Sequence, residues 1–129
     1  MKNKNISIIH NGKFELSRID YDAQTPKIKL ILENGRTHIF VGLDIYECLG
    51  KLIKSLPEIK FLCKGAKINV RPSTMSSQMT SGIMAYEHNL GVRPTRNDVV
   101  NIFDFDDQDI VNDPQMQTDY FYRWVDSIK

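Results

Sequence analysis

The stretch KIKLILENGRTHIFV, Lys27 to Val41, decides the fold class. Ile28, Leu30 and Leu32 fall on every second position and alternate with Lys27, Lys29, Ile31 and Glu33, the period of a half-buried strand. Asn34-Gly35 follows, a pair favoured in tight hairpin turns because both residues tolerate positive φ, and Arg36–Val41 supplies the returning strand. The segment before it repeats the arrangement. Ile6–His10 and Lys13–Arg18 flank Asn11-Gly12, with Ile6, Ile8 and His10 on one side of the first strand and Phe14, Leu16 and Arg18 on one side of its partner. The polar stretch Asp20–Pro26 joins the two hairpins as a loop. Four strands in two consecutive hairpins predict an antiparallel meander.

After Gly42 the apolar period changes from two to about 3.6. Leu43, Ile45, Tyr46, Leu49, Leu52, Ile53 and Leu56 mark one face of a helix, with Asp44 as N-cap and Pro57 as stop. Gly50 inside it costs up to about 1 kcal/mol relative to alanine. Beyond it, Ile59–Cys63 is a short apolar segment, Lys64-Gly65 a turn and Lys67–Arg71 a short strand. Ser73 caps a short helix over Thr74–Thr80, which Gly82 ends. Ile83–His88 alternates as a strand, Asn89–Arg96 turns, and Val99–Phe105 is an apolar strand expected near the centre of the sheet. Asp113-Pro114 opens a last helix whose apolar stripe is Met116, Tyr120, Phe121, Trp124, Val125 and Ile128. The chain is therefore predicted as a single α+β domain, residues 1–129. Its sheet is mainly antiparallel, with about five to seven strands built from hairpins, packed with a central helix and a C-terminal helix.

Composition agrees. At 129 residues, 41% hydrophobic and 26% charged, the chain can bury an ordinary core and is not of a disordered type. The longest apolar runs, Ile6–Ile9 and Ile28–Leu32, are too short to cross a bilayer. The opening MKNKNISIIHNGKF reads as a first strand, not as a signal peptide, so a cytoplasmic location is expected. Cys48 and Cys63 lack metal-ligand spacing and sit in apolar surroundings, which fits reduced, buried thiols.

Net charge is +1, but residues 1–70 hold 12 basic and 7 acidic side chains and residues 71–129 hold 5 and 9. Asp104, Asp106, Asp107, Asp109 and Asp113 lie together with no Lys or Arg among them. The spacing Asp104-x-Asp106-Asp107-x-Asp109 is only faintly that of a calcium loop, since it has neither the sixth-position glycine nor the distal glutamate. Two readings stand: a solvated loop, or an electrostatic docking surface for a basic partner. No extended basic face of the kind that binds nucleic acid is apparent. His10, His38 and His88 fall in different elements without ligand spacing and read as partly exposed strand histidines. Ser73, Ser76 or Ser81 with His88 has no nucleophile-elbow sequence behind it.

The stretch RPSTMSSQMTSGIMAYEHNLG, Arg71 to Gly91, is poor in charge and rich in small hydroxyl residues and methionine. Met75, Met79 and Met84 read as core filler, with a Met-lined exposed groove as the other reading.

From Gly42 onward the chain resembles a family of small bacterial immunity proteins that accompany polymorphic toxins, including those of contact-dependent growth inhibition systems. The residues that carry the resemblance are GLDIYECLGKL (Gly42–Leu52), FLCKGAKINVRPSTMSSQMTSGIMAYEHNLG (Phe61–Gly91), DVVNIFDF (Asp98–Phe105) and FYRWVDSI (Phe121–Ile128). Similar proteins carry Leu-Cys-x-Gly-Ala, then Pro-Ser-x-Met-Ser, a second Met, a Gly and Ala-Tyr, and end in an aromatic helix with Trp. This chain departs at Ser81, where the pattern is richer in glycine.

The resemblance implies an α+β protein without enzymatic activity, cofactor or metal, which binds and neutralises the C-terminal domain of a cognate toxin, in many cases a nuclease, one to one. On that reading Gly65, Pro72, Ser73, Met75, Met79, Gly82, Ala85, Tyr86, Gly91 and Trp124 are structural signature residues, and the five aspartates are the expected toxin contacts. Neither direct nucleic-acid binding nor a membrane partner is implied. The alternative is a small-ligand-binding protein or enzyme with a pocket around Arg71–Gly91 lined by Ser73, Ser76, Met79 and Tyr86. A homodimer formed through an edge strand is a third reading.

Overall fold

The computed structural model describes residues 1–129 as an α+β domain with two antiparallel sheets and three helices. The first sheet contains β1 (Lys2–His10), β2 (Lys13–Asp22), β3 (Lys27–Ile31), β4 (Thr37–Val41) and β5 (Ile59–Phe61), in the order β4-β3-β2-β1-β5. The second contains β6 (Val70–Arg71), β7 (Met84–Glu87) and β8 (Val99–Asn101) in chain order. The helices are α1 (Ile45–Ser55), α2 (Thr74–Thr80) and α3 (Pro114–Ser127). Eight strands thus divide between two sheets.

The two Asn-Gly turns differ, and the difference fixes the register. Asn11 and Gly12 both have positive φ, 50° and 81°, and His10 pairs with Lys13, so this loop has two residues. The inward face of β1, Ile6 and Ile8, therefore continues on β2 as Ser17, Ile19 and Tyr21, all buried. Phe14 and Leu16, which share one side of β2 as the alternation predicts, lie on the opposite, outer face, 67% and 52% exposed. In the second hairpin only Gly35 has positive φ, and Leu32 bonds to Gly35 N–H and Arg36 C=O across a three-residue loop, Glu33 to Gly35. That pairs Leu30 with His38 and Ile28 with Phe40. A two-residue turn would have shifted the register by one and turned Ile39 and Val41 inward.

Helix α1 lies across the inner face. Asp44 caps it by accepting a 2.7 Å hydrogen bond from Glu47 N–H, and Ile45, Cys48, Leu49, Leu52 and Ile53 enter the core with Ile6, Ile8, Ile19, Ile28, Leu30 and Phe61. Leu43, expected on this face, precedes the cap and is 87% exposed. Gly50 has a packing reason: a Cβ there would sit 3.2 Å from Pro114 Cγ at the start of α3. Gly65 is tighter still, since its Cβ would lie 2.5 Å from Leu49 Cδ2 and 2.9 Å from Ile102 Cβ. Here α1 meets the second half of the chain with no room for a side chain.

Val99–Phe105 is not a central strand. β8 is an edge strand of three residues, after which Asn101 Oδ1 accepts from Phe103 N–H at 2.9 Å and turns the chain, burying Ile102 and Phe103 as core plugs. Helix α3 also packs differently from its apolar stripe. Only Gln117 and Trp124 are buried, while Met116 is exposed and Tyr120, Phe121, Val125 and Ile128 are half-buried. Much of its attachment is polar. Gln117 Nε2 donates to the carbonyls of Gly65 and Lys67, both at 2.9 Å, Tyr120 Oη to His88 C=O at 2.9 Å, and Trp124 Nε1 to Val92 C=O at 2.9 Å.

No helix is long and apolar enough to cross a membrane.

An acidic loop and a polar cleft as candidate functional sites

The five aspartates separate into two structural roles. Asp106 is buried, with Oδ2 2.8 Å from the ammonium groups of both Lys64 and Lys67, and Lys64 also reaches Glu87 Oε1 at 2.6 Å. Burial by itself raises the Asp106 pKa, but hydrogen bonds from Lys64, Lys67 and the Gln108 N–H outweigh it and hold the carboxyl well below the usual carboxylate range. Lys64 is shifted upward: burial opposes its charge, and the bonds to Asp106 and Glu87 overcome that. Asp113 is the N-cap of α3, accepting from Gln115 N–H at 2.9 Å. Asp104, Asp107 and Asp109 remain exposed.

Those three stand on a fixed frame. Lys64 N–H bonds to Asp104 C=O at 2.8 Å, Ile68 N–H to Asp109 C=O at 2.9 Å, and Val111 N–H to Ala66 C=O at 2.9 Å. Isolated bridges pair Cys63 with Phe105 and Lys67 with Ile110. Asp109 takes a left-handed backbone, φ 55°, which aspartate tolerates better than most residues. Phe105, next to Asp104 in the chain, is also exposed, at 59%. An exposed aromatic side chain and exposed carboxylates on one loop held by backbone hydrogen bonds are a composition suited to protein docking.

The Arg71–Gly91 signature divides as well. Ser73 caps α2 by accepting from Ser76 N–H at 3.0 Å, Gly82 has φ 76° with its Cβ position only 2.8 Å from Asp44 Oδ2, and Ala85 is buried. Gly91 lies in an exposed turn at φ 78°. Met75 and Met79 are not core filler: they are 68% and 78% exposed, because α2 buries no residue at all. Its turns instead close through side-chain hydroxyls, Ser76 Oγ bonding to Met84 C=O and Ser77 Oγ to Asp44 Oδ2. His88 is likewise buried, not a partly exposed strand histidine. Its ring stands 4.4 Å from Trp124, 5.4 Å from Phe121 and 6.3 Å from Tyr86, and burial lowers its pKa.

Beside α2 a cleft of about 600 Å³ opens between α1, α2 and the start of α3. Of the pocket residues expected from sequence, Ser73 lines it; Ser76, Met79 and Tyr86 do not. Lys51, Lys54, Arg71, Thr74, Gln78 and Thr118 do, and no sequence pattern marks them as a group. They come from α1, β6, α2 and α3, which only the tertiary fold brings together. No protein-family model and no curated protein matches the chain. Cys48 and Cys63 are both free and buried, and burial raises their thiol pKa values to about 11 and about 12, so neither thiol is activated for nucleophilic attack.

Proposed function

We propose that the chain is an immunity protein, which binds the toxin domain of a contact-dependent growth inhibition system and neutralises it in the cytoplasm of the producing cell. It acts by occupancy and performs no chemistry, and the toxin domain it fits is a nuclease with a basic active-site surface. Two things support this reading: the resemblance from Gly42 onward, and the form of the acidic loop. The observation that carries it is that Asp104, Asp107 and Asp109, together with Phe105, are exposed on a loop already pinned by Asp106. A preorganised acidic surface loses little conformational entropy on docking and accelerates encounter with a basic partner.

The test is co-expression with the product of the gene immediately upstream. A one-to-one complex and protection of cells from that product are expected. Reversing Asp104, Asp107 and Asp109 to lysine should slow association by about tenfold or more at low ionic strength and weaken its salt dependence. Unchanged association kinetics would remove the loop from the interface; the absence of any complex would remove the immunity reading itself.

A further inference from the structure

The polar cleft has a charge arrangement of its own, independent of the acidic loop and of the toxin reading. Both carboxylates that line it are already satisfied by neighbours. Asp44 takes the Glu47 N–H on one oxygen and the Ser77 hydroxyl on the other, and Glu47 Oε1 takes the Leu43 N–H with Lys51 Nζ at 3.6 Å. Lys51 also donates to Val41 C=O at 2.8 Å, so it too is engaged. Lys54, from the last turn of α1, and Arg71, from β6, have no carboxylate within salt-bridge distance. Arg71 is half-buried, lies 4.7 Å from the centroid of the Phe121 ring, and reaches Thr118 Oγ1 at 3.4 Å. A guanidinium fixed against an aromatic face, without an anionic partner, presents a preorganised fork to an oxyanion.

The rest of the lining specifies what the oxyanion is attached to. Ser73, Thr74, Gln78 and Thr118 also line this space, while Tyr46 is the one aromatic residue on the wall and its hydroxyl donates to Val70 C=O at 2.8 Å. Such a wall offers hydrogen bonds to a hydroxylated body and little stacking surface to a nucleobase or grease to an acyl chain. Lys51, Lys54 and Arg71 stand against Asp44 and Glu47 in the lining, a net charge of +1, and the two cations without an ion pair, Lys54 and Arg71, offer separate charged donors to the three oxygens of a phosphomonoester.

We propose that the cleft between α1, α2 and the start of α3 binds a small phosphomonoester with a hydroxylated body, of the sugar-phosphate class, with Arg71 and Lys54 holding the phosphate.

The probes are glucose 6-phosphate, ribose 5-phosphate and glycerol 3-phosphate, titrated calorimetrically into the full chain at low salt, with glucose and inorganic phosphate as the two control arms. Saturable one-to-one binding of at least one phosphomonoester is expected, about tenfold tighter than inorganic phosphate, with none for glucose. Lys54→Gln should weaken binding by about tenfold, the scale of one charge-assisted hydrogen bond. Lys54 is exposed, so this variant should melt as the parent does; Arg71→Gln should abolish binding, with its fold checked by the same melt. No saturable binding by any of the three, or affinity unchanged in both variants, overturns the site. Inorganic phosphate binding as tightly as the phosphomonoesters overturns the hydroxylated ligand.

Discussion

Residues 1–61 and residues 62–129 contribute to one core by different means. In the first region, alternation puts Ile6, Ile8, Ile19, Ile28, Leu30 and Phe61 on one sheet face under α1, and the apolar area removed from water dominates its stability. The second region supplies fewer core residues, among them Cys63, Ala66, Val70, Ala85, Ile102 and Phe103. Much of the rest is tied down by hydrogen bonds from side chains to backbone carbonyls and by the Lys64–Asp106–Lys67 ion pairs. A net hydrogen bond contributes about 1 kcal/mol and specifies geometry, whereas apolar burial is larger and less directional. The contrast suits a molecule in which a stable sheet carries a precisely shaped, thinly buried surface: both candidate sites lie in or against the second region.

The largest effect should fall on the first region. Leu30→Ala, at a fully buried central position, is expected to lose about 3 kcal/mol in urea unfolding, from lost transfer energy and the cavity left behind. Val125→Ala, on half-buried α3, should lose about 1 kcal/mol or less. Equal losses at the two positions would break the contrast.

The ion-pair cluster gives a smaller effect with its own pH signature. Asp106→Asn leaves Lys64 with Glu87 alone and Lys67 without its carboxylate, and should cost roughly 2 kcal/mol at neutral pH. Because the folded-state pKa of Asp106 is depressed, its contribution is complete above the ordinary carboxylate pKa of about 3.9 and is lost as pH falls below that value toward the folded one. Urea titrations from neutrality to acid should therefore show the parent converging on Asp106→Asn below about pH 4. A gap that stays constant through that range would mean that Asp106 is not held as an ion pair.

The same division explains what could be read from the sequence. In the first region the strands, the Asp44 cap and the α1 face follow from period and turn chemistry, which are local. Its register was less legible, because Asn-Gly serves both a two-residue loop at Asn11-Gly12 and the end of a three-residue loop at Gly35. In the second region α2, its Ser73 cap and the start of α3 were legible for the same local reason. Apolar runs misled there: Ile102 and Phe103 are plugs after an Asx turn, not strand residues, and α3 buries Gln117 ahead of Met116. Among the acidic residues, sequence showed the cluster but not that Asp106 faces Lys64 and Lys67, roughly 40 positions earlier. The cleft was invisible because Lys54, Arg71 and Thr118 come from three separate elements.

The smallest expected effect concerns the methionines of α2, where the composition of the stretch and its packing disagree most. Met75 and Met79 are four residues apart on a helix with no buried residue, so replacing both with serine removes no core contact. Serine has slightly lower helix propensity than methionine, but the Ser73 cap and the hydroxyl bonds of Ser76 and Ser77 are untouched. The double variant should therefore unfold within about 0.5 kcal/mol of the parent in urea, the usual range for exposed substitutions. A loss above about 1 kcal/mol would show that these side chains pack against the body in solution, and would move α2 from the thinly held surface into the core.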